Sequence, residues 1–134
     1  MTSSSLDVLI VDDNDFRAEI SADFLTTLNP EVAVTVVKDY EAFQKAIETK
    51  RWALCVLDGE FPENATSQIQ YNEEPLGMKA LAALEKQGYS QDNVVVLSGN
   101  DIMVKHSTDL GYSAATVDLA EASVRLRLMG ILSP

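Results

Sequence analysis

The sequence predicts an α/β fold in which helices cover both faces of a doubly wound, five-stranded parallel sheet. Two observations support this prediction. Apolar runs with strand character alternate along the chain with segments of helical periodicity, and one of these runs is uninterrupted, as in a strand buried on both faces. With 134 residues, 46% of them hydrophobic, the chain is long enough for one domain with a substantial core. We expect a single domain over residues 1–134 with an ordered core at 6–132.

The first predicted strand, Leu6 to Val11, ends in acidic residues and precedes a helix. Asp15 is expected to cap this helix, which stops before Pro30. Four apolar residues at helical spacing indicate it: Phe16, Ile20, Phe24 and Leu28.

The remaining elements continue the alternation of strand and helix. Val32 to Val37 is rich in β-branched residues, and Asp39 after it is expected to cap a helix. That helix carries apolar residues on one side, namely Tyr40, Phe43, Ala46 and Ile47. The later predicted elements are a strand at Ala53–Leu57, a helix at Met78–Lys86, a strand at Val94–Leu97, a helix at Asp101–Leu110, a strand at Ala114–Val117 and a helix at Leu119–Leu132.

Acidic residues follow the first and third predicted strands. Asp12 and Asp13 come after the first, and Asp58 ends the third. In the flavodoxin-like strand order these two strands are adjacent at the switch point, where open α/β sheets build their sites. Three such carboxylates would repel one another without a cation, and hard oxygen ligands suit Mg²⁺. The alternative is that these acids only form turns and cap helices.

Charge and cysteine content limit the classes of function. The formal net charge of -11 argues against a surface that binds nucleic acid, because a phosphate backbone would be repelled. The single cysteine, Cys55, excludes an intramolecular disulfide and suggests a reducing compartment. The N-terminal residues lack the pattern of a signal peptide, and no apolar segment approaches membrane-spanning length. We therefore expect a soluble, cytoplasmic protein that binds neither nucleic acid nor membrane.

Three motifs resemble, in order and spacing, the signature of response-regulator receiver domains, the chemotaxis-regulator-like modules of two-component signalling. They are Val8-Leu9-Ile10-Val11-Asp12-Asp13-Asn14, Leu57-Asp58-Gly59-Glu60-Phe61-Pro62 and Val95-Val96-Leu97-Ser98-Gly99. The resemblance covers nearly the whole chain. It implies a (βα)5 fold and a signalling module rather than an enzyme.

The resemblance also implies a role for each matched position. Asp58 would accept a phosphoryl group from a histidine kinase or phosphotransfer protein. Asp12 and Asp13 would hold Mg²⁺ together with Asp58, and Glu60 would offer the metal its backbone carbonyl. Ser98 would bond a phosphoryl oxygen. Phosphorylation would then bias a two-state element through the new charge.

The sequence departs from the family at the end of the fifth strand. Receivers normally carry a lysine there, followed by proline, whereas this chain has Thr116-Val117-Asp118 in the aligned region. No lysine or arginine occurs between Lys105 and Arg125. A cation about 4 Å from a phosphate would contribute roughly 4 kcal/mol at an effective dielectric constant near 20, so the switch is expected to be weakened. Asp118 is interpreted as either an N-cap or an acid that opposes the phosphate.

A second departure is the loop Glu63–Leu76, which replaces a short loop of the family. It is interpreted either as a solvated insertion or as a lid or recognition loop. In the second case, Ile69 and Tyr71 could dock the loop beside the acid cluster.

Two other functions remain open from the sequence. A pseudo-receiver would keep the fold and signal through protein contacts without phosphorylation, as the missing lysine suggests. A small Mg²⁺-dependent phosphohydrolase would use Asp58 as nucleophile, with Glu60 as an imperfect second acid. In the receiver interpretation the partners are a histidine kinase or phosphotransfer protein and either a downstream target or a fused output domain. Homodimer formation is left open.

Overall fold

The chain forms a five-stranded parallel sheet with helices on both faces in the computed structural model, which describes residues 6–66, 76–116 and 128–132. The strand order is β2-β1-β3-β4-β5, as in the predicted flavodoxin-like arrangement. The elements are β1 Leu6–Val11, α1 Asp15–Leu28, β2 Val32–Val37, α2 Tyr40–Thr49, β3 Leu54–Asp58, α3 Leu76–Lys86, β4 Val94–Leu97, α4 Asp101–Asp109 and β5 Ser113–Ala115. Residues 128–132 are also helical. The fold class and the alternation of elements are therefore confirmed.

Successive residues of the central strands point to opposite faces of the sheet, and each face has its own core. Leu9 and Val11 of β1 pack in a cluster with the buried side chains of α2, α3 and α4. Val8 and Ile10 pack in a second cluster with α1 and the helical residues 128–132. Every residue of β3 and β4 is buried. This two-sided burial explains why both strands are apolar along their whole length, apart from Asp58.

Helix α1 lies where the sequence predicts it, and its apolar residues are only partly turned towards the core. Phe16 is 64% exposed and Ile20 is 48% exposed, whereas the buried residues of the helix are Ala18, Ser21 and Leu25. Residues four apart on a helix are separated by slightly more than a full turn, so a stripe of this spacing winds around the axis. The apolar residues that indicate this helix in the sequence therefore face the core only at Phe24 and Leu28, which pack against the second cluster.

The cap of α1 also differs from the prediction. Asn14, not Asp15, is the N-cap, and its side chain accepts a hydrogen bond from the backbone N–H of Arg17 over 2.9 Å. Asp15 is the first helical residue and pairs with Lys38. By contrast, the predicted cap of α2 is confirmed, because the Asp39 carboxylate accepts from the N–H of Ala42.

Some sequence predictions lie outside the described residues. They concern Val117, Asp118, most of the final helix, and Ile69 and Tyr71 in the long loop. Of that loop, residues 63–66 are described, and Leu76 is the first residue of α3. None of the described helices is long and apolar enough to cross a membrane.

Candidate functional site

Three carboxylates meet at the carboxyl-terminal edge of the sheet. Asp12 directly follows β1, and Asp58 is the last residue of β3. Because Val11 lies opposite Leu57 in the parallel register, the next residue of each strand comes out at the same edge. One oxygen from each of Asp12, Asp13 and Asp58 lies within 4.8 Å of the others. The structure thus brings together the acids that the sequence predicted to be adjacent.

The three acids differ in exposure. Asp12 and Asp58 are only 3% and 5% exposed, whereas Asp13 is exposed to solvent. Burial, followed by the charge of Asp12, raises the pKa of Asp58 to about 7. Burial and the Asp12 charge also raise the pKa of Asp13. Burial and charge repulsion together therefore favour a proton or a cation in the cluster.

Arg17 supplies a cation from within the chain. Its Nε and Nη2 donate to the two carboxylate oxygens of Asp12 over 2.6 and 2.9 Å, and Nη2 also donates to Asp58 Oδ2 over 3.0 Å. The Asp12 hydrogen bond is the main reason that the pKa of Arg17 is raised. Arg17 lies in the first turn of α1, where side chains point back towards the N-terminal end of the helix and hence towards the sheet edge.

The loop after β4 contributes a hydroxyl to the same edge. Ser98 is 4% exposed, and its Oγ accepts a hydrogen bond from the N–H of Asn100 over 3.0 Å. A Cβ on Gly59 would lie 2.2 Å from that Oγ and 2.8 Å from Met103 Cγ. Glycine at position 59 is therefore what allows the loop after β3 and the Ser98 side chain to lie against each other.

Glu60 and Asn100 connect the two loops. The Asn100 Nδ2 donates to Glu60 Oε1 over 2.6 Å, while its Oδ1 accepts from the N–H groups of Ile102 and Met103 and caps α4. The carboxylate of Glu60 thus interacts with α4 rather than with the group of three aspartates. The resemblance assigned the Glu60 backbone carbonyl to the metal, and that assignment stays a prediction.

An open cavity of about 560 Å³ contains these groups. Its lining residues are Asp13, Asn14, Arg17, Asp58, Glu60, Ser98, Gly99 and Asn100. A Cβ on Gly99 would contact nothing within 4 Å, so the space beside Ser98 is open. The converging carboxylates of Asp12, Asp13 and Asp58 suit a hard divalent cation, and the Arg17 guanidinium already pairs with two of them.

Sequence reasoning missed Arg17, Asn14 and Asn100. Asn14 and Asn100 each precede a predicted helix, so the preference of asparagine for N-caps was the available signal. Given the Asn14 cap, Arg17 falls in the first turn of α1, next to the acids that end β1. The proximity of Arg17 to Asp12 could have been predicted from that spacing, but its contact with Asp58 on the neighbouring strand could not.

Comparison with models of known protein families finds no match, and no curated protein matches significantly by sequence. Solved structures do match. The beryllofluoride-activated N-terminal receiver domain of RstA from Klebsiella pneumoniae has a TM-score of 0.67 and 19% identity, over 96% of this chain and 99% of that one. The response regulator TrrA of Thermotoga maritima, solved with Mg²⁺ and beryllofluoride, has a TM-score of 0.66 and 15% identity, over 94% and 98%. The phosphorylated cyanobacterial phytochrome response regulator RcpA has a TM-score of 0.64 and 20% identity, over 96% and 91%. The chain has the fold of response-regulator receiver domains.

Proposed function

We propose that this chain is a two-component receiver domain that accepts a phosphoryl group on Asp58 and signals through protein contacts. One observation carries the proposal: carboxylate oxygens of Asp12, Asp13 and Asp58 converge within 4.8 Å at the edge of the sheet, beside the Ser98 hydroxyl. Solved structures of the same fold include one with Mg²⁺ and beryllofluoride and one that is phosphorylated, which supports this assignment.

The residues present fit a divalent cation held by the three aspartates. When bound, such a cation neutralises charge on the reacting oxygens. The roles of the chain's own residues follow from their positions. An Asp58 oxygen forms the new bond to phosphorus as the bond from phosphorus to the donor imidazole breaks, and the imidazole leaves with that electron pair. The open space at Gly99 leaves room for the phosphoryl group, and the Ser98 hydroxyl is placed to donate to one of its oxygens.

The partners of this function are of two kinds. A histidine kinase or phosphotransfer protein would supply the phosphoryl group, and a downstream protein or a fused output domain would read the altered surface. We propose a cytoplasmic location, in keeping with such a donor.

Intact-protein mass spectrometry tests the proposal. The protein is incubated with acetyl phosphate or with phosphorylated donor protein, with and without MgCl₂. We expect a Mg²⁺-dependent gain of one phosphoryl group in the wild type and none in Asp58→Asn. No gain with any donor would refute the phosphoacceptor role. Mg²⁺ binding is best followed by amide NMR shifts around Gly59. The fluorescence of Trp52 should respond less, because Trp52 lies before the first residue of β3, at the opposite end of that strand from Asp58.

The pseudo-receiver is the second candidate, favoured by the absence of any lysine or arginine between Lys105 and Arg125. The pseudo-receiver hypothesis predicts that wild type and Asp58→Asn both fold and bind the partner protein with equal affinity. We do not propose the phosphohydrolase, because Glu60, the second acid that it would need, is hydrogen bonded to Asn100.

A further inference from the structure

Arg17 makes contacts that the three sequence motifs do not account for. Its guanidinium makes a two-pronged contact with Asp12 and a third hydrogen bond to Asp58, across two strands of the sheet. The Arg17 side chain is 40% exposed, whereas the side chains of the two aspartates are 3% and 6% exposed. The guanidinium therefore covers two buried carboxylates on the side that faces solvent.

The charges around the cavity make this contact consequential. Of the described residues that line it, Arg17 alone is positively charged, against three acids, Asp13, Asp58 and Glu60. The chain also has no lysine or arginine in the sequence from 106 to 124. A phosphoryl group on Asp58 would add negative charge to this cavity, and the nearest cation that the described part of the chain offers is the guanidinium that already touches Asp58.

We propose that Arg17 is the exchangeable cation of this cavity: it pairs with Asp12 and Asp58 while the metal is absent, yields them to the divalent cation, and then binds the phosphoryl group on Asp58. This inference rests on the phosphoacceptor role proposed above. A guanidinium suits both positions, because its fork of N–H donors matches carboxylate and phosphate oxygens alike.

The proposal predicts that removal of Arg17 changes two affinities in opposite directions, the affinity for the metal and the affinity for a phosphoryl mimic. The guanidinium already holds both oxygens of Asp12 and one oxygen of Asp58. A divalent cation at the cluster needs oxygens of the same two residues, so loss of the guanidinium strengthens metal binding. The phosphoryl group gains its hydrogen bonds from the guanidinium, so the same loss weakens binding of a phosphoryl mimic. A residue that only supports the fold would weaken both.

The experiment measures both affinities in four proteins. Mg²⁺ is titrated by calorimetry and by amide NMR, and beryllofluoride is then titrated at saturating Mg²⁺. Wild type is compared with Arg17→Gln, with Arg17→Lys and with Lys38→Gln. Lys38→Gln is the matched control, because it removes one positive charge from an exposed pair with Asp15 just after β2, outside the cavity.

We expect Arg17→Gln to bind Mg²⁺ about tenfold more tightly and beryllofluoride about tenfold more weakly than wild type, as suits a partly exposed charged hydrogen bond. Arg17→Lys should recover part of the beryllofluoride affinity, and Lys38→Gln should change neither affinity by more than about twofold. Changes of the same sign in both affinities, or no change in either, overturn the proposal.

The test also separates this inference from the proposed function. If wild type accepts beryllofluoride and a phosphoryl group while Arg17→Gln behaves identically, the role of Arg17 is refuted and the receiver function stands. If wild type binds Mg²⁺ but accepts neither, the receiver function fails and the phosphoryl half of this proposal fails with it. If wild type binds no Mg²⁺, binding of Mg²⁺ by Arg17→Gln upholds the exchange between guanidinium and metal. If Arg17→Gln binds no Mg²⁺ either, the exchange is refuted.

Discussion

The side-chain amide of Asn100 donates to Glu60 Oε1 over 2.6 Å and at the same time caps α4 through its carbonyl oxygen. One side chain thus joins the loop after β3 to the first turn of the helix after β4. The backbone N–H of Asn100 also bonds to Ser98 Oγ. Any displacement of the Ser98 hydroxyl in the cavity would therefore act directly on the start of α4.

The two functions of Asn100 can be separated by mutation. Asn100→Ala removes the cap and the contact with Glu60, and should lower the free energy of unfolding by about 1–2 kcal/mol. Asn100→Ser keeps a capping oxygen and loses only the donor to Glu60, so its cost should be smaller, about 1 kcal/mol or less. Urea unfolding measures both. Equal losses in the two variants would show that the cap contributes nothing beyond the Glu60 contact.

Close backbone approach at Gly77 gives a second prediction. A Cβ there would lie 2.6 Å from the carbonyl oxygen of Gly59, in a region where the Gly77 N–H also bonds to that oxygen. Gly77→Ala must shift α3 away from the end of β3, at a cost of about 1–3 kcal/mol.

Gly99→Ala is the matched control for this prediction, because a Cβ on Gly99 would meet nothing within 4 Å. Its thermal midpoint should stay within a few degrees of wild type, and the Gly77 variant should melt clearly lower. Equal midpoints for the two variants would contradict the close approach at Gly77.

The sequence predicted the parallel sheet and its strand order because these depend on patterns that are strong in this chain. The apolar run before Asp58 and the run before Asp12 each mark a buried strand, and parallel strands bring their carboxyl ends to one edge. The convergence of these acids therefore followed from the order of the elements. No side-chain contact was needed to predict it.

The buried face of α1 and the role of Arg17 could not be predicted in the same way. The exposure of Phe16 and Ile20 depends on how the helix is rotated against the sheet, and small residues, Ala18 and Ser21, take the buried side. The contact from Arg17 to Asp58 spans 41 positions in sequence and depends on the same rotation. Local periodicity carries no information about such a long-range pairing.

The buried thiol of Cys55 should be unreactive in the folded protein. Burial raises its pKa to about 12, so almost none of it is thiolate near neutral pH. Iodoacetamide at pH 8 should leave the native protein unmodified and alkylate it fully in denaturing urea, as read by mass. Rapid alkylation without denaturant would mean that β3 opens readily.

The acid cluster should make the metal-free protein less stable as the pH rises. The pKa of Asp58 in the fold is raised to about 7 from an ordinary value of 3.8, mainly by burial, so the folded state holds this proton more firmly than the unfolded state. The contribution of Asp58 to stability is therefore fully present below about pH 4 and is lost as the pH rises towards 7 and above.

Asp58→Asn removes this titration and should stabilise the metal-free protein above pH 7. Three pKa units correspond to an upper bound of about 4 kcal/mol, in which the opposing attraction of Asp58 to Arg17 is already included. Unfolding in urea with a chelator, repeated from pH 5 to 8, should show the difference between variant and wild type growing with pH. Asp109→Asn is the control, because Asp109 is exposed and paired with Lys105, so its effect should stay below about 0.5 kcal/mol at every pH. A constant difference across the range would show that Asp58 is charged throughout, and that Arg17 alone offsets its burial.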